Sequence, residues 1–351
     1  MNIAIVNDSP MACEALRRVI VSSGMHHIAW MATDGNSAVE QTQKLLPDLI
    51  LMDMIMPVMD GVDATRIIMS ETPCPILVVT ASVDANSNKV YQALGFGAMD
   101  AVNTPVLNSA NSPAASGAIL LEKISILGKL FQDPPPRLSK KERSTSQTGV
   151  REPLIVIGCS AGGPAALSQV LSSLPADFNY PIVIIQHLDS EFASGLCQWL
   201  ASKCRIPVNI LHAGTHPEKG TALLAGTNDH LVLREDGQLY YQDTPIDLPY
   251  RPSVDVFFES VALHWKGSIL AVILTGMGRD GALGTKAIRD AGGHTIVQNK
   301  ESSLVFGMPK ATIALGAAVE ILALNDIGPG ICSWASALGT RPIPISKSKH
   351  K

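Results

Sequence analysis

Leu154-Ile155-Val156-Ile157-Gly158-Cys159-Ser160-Ala161-Gly162-Gly163-Pro164 opens on four large apolar residues and then turns to small ones around a serine. A short continuous apolar run is what a strand buried on both faces of a parallel sheet requires. The glycines mark a sharp turn, and a helical pattern over Ala165–Leu174 follows, so the unit reads strand, turn, helix. Working outward, Pro181–Ile185, Val208–Leu211, Leu223–Ala225, Leu231–Leu233, Ile269–Leu274 and Thr295–Val297 are further strand candidates. Helical patterns fall at Phe192–Lys203, Val254–His264 and Gly281–Ala291. Upstream, Ile3–Val6, Ile28–Met31, Leu49–Met52, Ile76–Val79 and Ala101–Val102 alternate with helical segments in the same manner. The first of those helices is expected to start with Ser9 as N-cap and Pro10 at its first position. Ile119, Leu120, Ile124, Leu127, Leu130 and Phe131 lie along one helical stripe and close five β/α units near residue 131.

Between the two patterns, residues 132–151 carry three consecutive prolines and then a polar run, Lys140-Lys141-Glu142-Arg143-Ser144-Thr145-Ser146, which reads as a linker. The chain thus divides into 1–131, a linker at 132–151, a second α/β domain at 152–345 and a polar tail at 346–351. With 27 Lys and Arg against 31 Asp and Glu, the net charge of −4 argues against a general nucleic-acid or anionic-membrane binder. Aromatics at 5% make a base-stacking surface an improbable use of this chain. The six cysteines form no CxxC pair, which points to reduced thiols rather than a disulfide framework or a zinc knuckle. No apolar run approaches the ~20 residues of a membrane span, and the start is too soon acidic for a signal peptide. A cytoplasmic protein is the expectation, and nothing demands more than a monomer.

Parallel sheets put their chemistry at the carboxyl ends of their strands. In the first domain Asp8, Asp53, Thr80 and Asn103-Thr104-Pro105 end strands one, three, four and five. Converging carboxylates there suit Mg²⁺, one of them can attack a phosphoryl group, and Thr80 can hydrogen-bond the resulting oxygens. Plain solvent-exposed acids would look the same by composition. In the second domain Ser160 stands at a strand-to-helix turn, where the hydroxyl is exposed and backbone N–H groups lie near. A glycine turn that binds phosphate, or merely lets helix and strand pack, is the blander alternative. A serine nucleophile needs a base and an orienting acid. His187 follows the next strand, and Asp280 sits in Thr275-Gly276-Met277-Gly278-Arg279-Asp280-Gly281 directly after Ile269–Leu274. His230 and His294 compete as bases. His212 and His216 are four apart, but Gly214 and Pro217 spoil a helical metal pair, and Cys159 reads as a packing residue.

The N-terminal domain resembles a response-regulator receiver, a flavodoxin-like (βα)5 domain, on the stretch Leu49-Ile50-Leu51-Met52-Asp53-Met54-Ile55-Met56-Pro57-Val58-Met59-Asp60-Gly61. The resemblance implies Asp53 as phospho-acceptor, Thr80 as phosphate-coordinating residue, and Mg²⁺ on Asp8, Asp53 and the Ile55 backbone carbonyl. Three positions depart from the receiver pattern: Asn7 where a second acid is usual, Thr104 where a lysine precedes the proline, and Ala101 at the usual aromatic position. The remainder resembles the catalytic domain of the CheB family of chemotaxis protein-glutamate methylesterases. The matching stretches are Gly158–Gly163, Gln186-His187, Ala225–Leu231, Arg251–Asp255, Thr275–Gly281 and Val305–Pro309. That domain is a doubly wound, mainly parallel-sheet α/β fold. By the family pattern Ser160 is nucleophile, His187 base, Asp280 its orienter, and Met277 a backbone donor to the oxyanion; Ala161 stands where many members have threonine. Asn7-Asp8 and Thr104-Pro105 resemble the WspF-like branch, which serves surface sensing. The family implies a methyl-accepting chemoreceptor as substrate, with deamidation of glutamines, and a CheA-like histidine kinase as phosphodonor. A phospho-dependent binding protein without hydrolysis, and a general small-ester hydrolase, are the rival readings.

Overall fold

A computed structural model describes residues 1–81, 83–105, 117–129, 152–248 and 250–339. The N-terminal sheet is built from β1 (Asn2–Val6), β2 (His27–Ala32), β3 (Leu49–Met52), β4 (Ile76–Thr80) and β5 (Asp100–Asn103). All four pairings are parallel in the order β2-β1-β3-β4-β5, so the carboxyl ends of β1 and β3 lie side by side. Helices α1 (Pro10–Ser22), α2 (Gly35–Lys44), α3 (Gly61–Glu71), α4 (Val83–Gly95) and α5 (Ala118–Lys129) connect or close the strands. Ser9 caps α1 by accepting from the Ala12 N–H, with Pro10 in the first turn, as the sequence predicts.

The second sheet has seven parallel strands in the order β14-β13-β12-β6-β7-β9-β8. They are β6 (Leu154–Cys159), β7 (Ile182–Gln186), β8 (Val208–Ile210), β9 (Ala222–Leu224), β12 (Ile269–Ile273), β13 (His294–Gln298) and β14 (Glu320–Leu322). β10 (His230–Leu233) and β11 (Leu239–Gln242) form a separate antiparallel hairpin. The helices are α6 (Gly163–Ser172), α7 (Ser190–Ala201), α8 (Val254–His264), α9 (Ala282–Asp290), α10 (Met308–Ala314) and α11 (Leu324–Gly339). β6 is central because every one of its residues is buried, and it lies between β12 and β7, where the chain's path across the sheet reverses.

Four elements have no counterpart in the sequence reading: β11, β14, α10 and α11. β14 is mostly exposed, with only Leu322 packing on the core, and α11 carries Pro329 between two glycines, so neither shows an uninterrupted apolar period. The stripe on α5 needs one correction. Leu120, Ile124 and Leu127 are buried, whereas Ile119 is 58% exposed and faces a groove. Leu130, Phe131, the linker at 132–151 and the tail at 346–351 lie outside the described residues.

The two sheets do not have separate cores. Val90, Tyr91 and Leu94 of α4 share one apolar cluster with Phe192 and Leu196 of α7. Leu120, Ile124 and Leu127 of α5 share another with Ala161 and Met277. The Tyr91 hydroxyl donates to the Phe192 carbonyl, and a Cβ on Gly195 would come within 2.6 Å of the Tyr91 ring. Tyr91→Phe removes that interdomain hydrogen bond, while the Phe192 carbonyl keeps its partner within α7. The expected cost is about 0.5–1.5 kcal/mol, read as a lower melting temperature in thermal denaturation of the full chain.

Candidate active site

The carboxyl ends of β12, β6 and β7 meet at one rim because their registers align: Gly158 is opposite Ile273 on one side and Ile185 on the other. One or two residues beyond these pairs the chain delivers Ser160 and His187, and the loop after β12 delivers Asp280. The three residues read from sequence therefore come together. His187 Nε2 lies 2.7 Å from Asp280 Oδ2. Its other ring nitrogen, Nδ1, is buried without a hydrogen-bond partner among the described residues. With Nε2 engaged, Nδ1 is the nitrogen left to accept a proton. The imidazole stacks on Tyr250 with centroids 4.3 Å apart and planes 4° from parallel, which fixes the ring's tilt.

Local backbone bonds set Ser160. The Ser160 N–H donates to the Thr275 carbonyl at 3.1 Å, and its own carbonyl accepts from Gly163 N–H at 2.7 Å. Gly162 holds φ at +77°, in the left-handed region that glycine tolerates. Gln186, which ends β7, is buried and ties the two strand ends together. Its Nε2 donates to the carbonyls of Ser160 (3.0 Å) and His187 (2.9 Å), while the Cys159 thiol donates to its Oε1 at 3.1 Å. Burial pushes the Cys159 thiol well above its ordinary value, so it packs rather than reacts.

The loop 275–279 closes over Ser160 from the other side. A Cβ on Gly276 would stand 2.2 Å from Met308 Sδ and 3.0 Å from the Ser160 nitrogen, so only glycine allows the approach. Met277 follows in that loop, itself buried. Its N–H makes no hydrogen bond among the described residues, as a free oxyanion donor requires.

Asp280 is 8% exposed and surrounded by donors. Besides His187 it accepts from Ser253 Oγ (2.7 Å) and from the N–H groups of Val254 (2.6 Å) and Asp255 (3.0 Å). Burial opposes its charge, but these partners outweigh it and hold the carboxyl below the usual range. The sequence gives no role to Ser253, Asp255, Gln186 or Tyr250; the first three carry a signal only as members of the Arg251–Asp255 and Gln186-His187 stretches, and Tyr250 carries none. Of the rival histidines, His230 is buried and held by the Ser253 N–H and the Pro245 carbonyl. His294 pairs with Glu320 at the surface, and His212 and His216 are exposed.

A cavity of about 460 Å³ lies over this rim. Ser160, His187, Tyr250 and Met277 line one wall, and Asp100, Lys123 and Leu127 of the N-terminal domain line the other. Asn103 donates across the same boundary to Glu191 at 3.0 Å.

In the N-terminal domain Asp53 and Asp8 end adjacent strands, as expected. Asp53 accepts from the Met54 N–H at 2.7 Å, and burial, with a lesser push from Asp8, raises its carboxyl above the usual range. A half-buried acid, Asp53, beside an exposed one, Asp8, is a donor set suited to Mg²⁺. Asn7 turns its side chain back to the Ser9 N–H at 2.8 Å. Thr80 is buried beside Thr104, whose N–H donates to the Thr80 carbonyl at 2.9 Å and whose hydroxyl is buried without a partner among the described residues. Lys89 is taken up by Asp60 at 2.7 Å. No group of three or more His, Cys, Asp or Glu among the described residues is placed to hold a metal ion. No helix among them is long and apolar enough to cross a membrane.

Known proteins identify both domains. Residues 3–110 match the response regulator receiver domain model, and residues 155–331 match the CheB methylesterase model. A protein-glutamate methylesterase/protein-glutamine glutaminase of Mesorhizobium japonicum is 51% identical over 94% of this chain and 98% of its own length. The third such protein of Pseudomonas aeruginosa is 49% identical over 94% and 98%. The crystal structure of the Thermotoga maritima CheB methylesterase catalytic domain superposes with a TM-score of 0.51 and 33% identity, covering 53% of this chain and 100% of that one. Together these define a response regulator joined to a methylesterase-type hydrolase domain. The chain belongs to the CheB methylesterase family.

The raised Asp53 carboxyl carries a stability consequence. A carboxyl that binds its proton more tightly when folded costs the fold stability as pH rises from its unfolded value, near 4, through the raised one. Asp53→Asn is therefore expected to melt higher than wild type at pH 7, with the difference shrinking as pH falls toward about 4. Melting curves at the two pH values check it.

Proposed function

We propose that this chain is a phosphorylation-regulated protein-glutamate methylesterase that also deamidates glutamine, acting on a methyl-accepting receptor in chemotaxis or surface-sensing adaptation. The observation that carries the reading is the meeting of Ser160, His187 and Asp280 at one rim, with the 2.7 Å His187–Asp280 bond in place. The names of its relatives, at about half identity over nearly the whole chain, agree with it.

In this reading the Ser160 hydroxyl attacks the ester carbonyl of a γ-glutamyl methyl ester as His187 Nδ1 takes its proton. Asp280 stabilises the imidazolium through Nε2, and the Met277 N–H receives the developing oxyanion. Collapse expels methanol, which leaves with the proton from His187. Water, deprotonated by the same nitrogen, then attacks the acyl-enzyme and releases the glutamate carboxylate and the free serine. A glutamine amide follows the same path with ammonia as leaving group.

The N-terminal domain covers the rim and would restrict a receptor helix from reaching Ser160. Phosphoryl transfer from a CheA-like histidine kinase to Asp53 shifts the population toward an uncovered state. Mg²⁺ held by Asp8, Asp53 and the Ile55 carbonyl would neutralise charge on the incoming phosphoryl group. Its oxygens would meet the hydroxyls of Thr80 and Thr104 rather than a lysine, so the modified state has less cationic stabilisation than the receiver pattern implies.

Two measurements test this. Methanol release from methylated receptor membranes is expected from wild type and to fall at least about a thousandfold in Ser160→Ala. Asp53→Ala is expected to abolish stimulation by an acyl-phosphate donor while leaving unstimulated release in place. No release by either wild type or Ser160→Ala, with a phosphodonor present, overturns the esterase reading in favour of a binding protein.

A further inference from the structure

We propose that Asp255 is a positioning residue of the Ser160–His187–Asp280 site: it exchanges helix caps with Asp280 and must stay protonated for full turnover. The inference rests on the triad reading above and deepens it.

Asp280 lies immediately before the glycine that leads into α9, and Asp255 is the second residue of α8. Each carboxylate sits on the other helix. Asp280 accepts from the N–H groups of Val254 and Asp255, at the start of α8. Asp255 Oδ1 accepts from the Gly284 N–H at 2.7 Å, and its carboxyl also meets the Gly281 N–H, at the start of α9. α9 has no cap of its own, because Gly281 holds its N-cap position at φ +91° without a side chain. A Cβ there would come within 2.8 Å of Val254 Cγ1, so the two helix starts are in contact. Removing Asp255 would strip α9 of its cap and free the turn that carries Asp280.

Two buried carboxylates this close do not both ionise cheaply. Asp280 has His187 and the Ser253 hydroxyl to favour its charge, in addition to backbone donors. Asp255 has backbone donors alone and faces two acids, Asp280 from the turn before α9 and Glu259 from one turn along α8. Lys286 of α9 does not redress this, because Asp290 takes it up. The proton therefore resides on Asp255, where burial and then the Asp280 charge push the carboxyl up to about 8. Below that pH the pair bears one negative charge, on the carboxylate beside His187. Above it, a second charge repels the first and loosens the exchanged caps.

The test uses the full chain with an acyl-phosphate donor, Ser160→Ala as the zero, and wild type, Asp255→Asn and Asp255→Ala compared for kcat and KM across pH. Circular dichroism and melting are recorded at each pH. Wild-type kcat is expected to fall above about pH 8. Asp255→Ala is expected to lose about tenfold in kcat at neutral pH with KM within about twofold. Asp255→Asn, which keeps the shape and an acceptor, is expected to recover most of that loss and to move the alkaline fall up by about one pH unit or more. Wild type is also expected to lose melting temperature as pH rises from about 4 to about 8, and Asp255→Asn to lose less, keeping only the part owed to Asp53. An alkaline limb and a melting profile unchanged in Asp255→Asn overturn the proposal, as does wild-type kcat in Asp255→Ala. Should Asp255→Ala fail to fold, the Asp255→Asn profiles decide. Absence of Ser160-dependent turnover in wild type would instead sink the triad reading, and the melting profiles would still report the charge of Asp255.

Discussion

A carboxylate withdrawn from water must be met by donors on nearly every side, and Asp280 imposes that demand on half the C-terminal domain. Its partners come from the loop after β7 and from the entry and first turn of α8, two segments far apart in the chain. Satisfying one buried charge therefore fixes the imidazole, the start of α8 and the turn before α9 together. The Gln186 amide does the equivalent for Ser160, with one side chain bridging the carbonyls of Ser160 and His187. The rim is rigid because its polar groups are shared between elements, which keeps a catalytic geometry from drifting when the loops above it move.

Much of this was legible from residue order, for a physical reason. Strands buried on both faces must be apolar throughout, so β1, β3, β6, β7 and β12 stand out, and the first polar residues after them mark the functional rim. Ser160, His187, Asp53 and Thr80 stand at strand ends in this way, and Asp280 comes in the loop after β12. Partially buried elements do not announce themselves: β11 has two half-exposed tyrosines, and α11 hides a helix behind Gly328-Pro329-Gly330. Asp255 and Ser253 escaped because their meaning lies in contacts with Asp280 across 25 and 27 positions, and no periodicity encodes a buried hydrogen bond. Ile119 fits its helical stripe and yet faces the groove, since an apolar period does not say whether the next layer is core or a covered cavity.

The receiver face that closes this groove is mostly apolar packing with a few polar pins. Lys123 and Asp100 pair at 2.5 Å within the wall opposite Ser160 and His187, and Asn103 reaches Glu191 in the first turn of α7, four residues beyond His187. Asn103 also stands beside Thr80 in the sheet register, so a charge placed at the receiver's rim acts within one residue of an interdomain hydrogen bond. An interface of this kind can be released without unfolding either sheet, because neither uses it for a backbone ladder.

The apolar clusters that run through both sheets have a consequence for how such a chain can change over generations. Tyr91 rests on Gly195, and Leu127 shares its surroundings with Met277, so a larger side chain at Gly195 or a smaller one at Leu127 is felt in the neighbouring domain. Substitutions along that boundary must be accommodated in pairs. A receiver grafted from another regulator would bring a correct phosphorylation site and the wrong relief map. The boundary thus binds the histories of two modules that would otherwise be free to recombine.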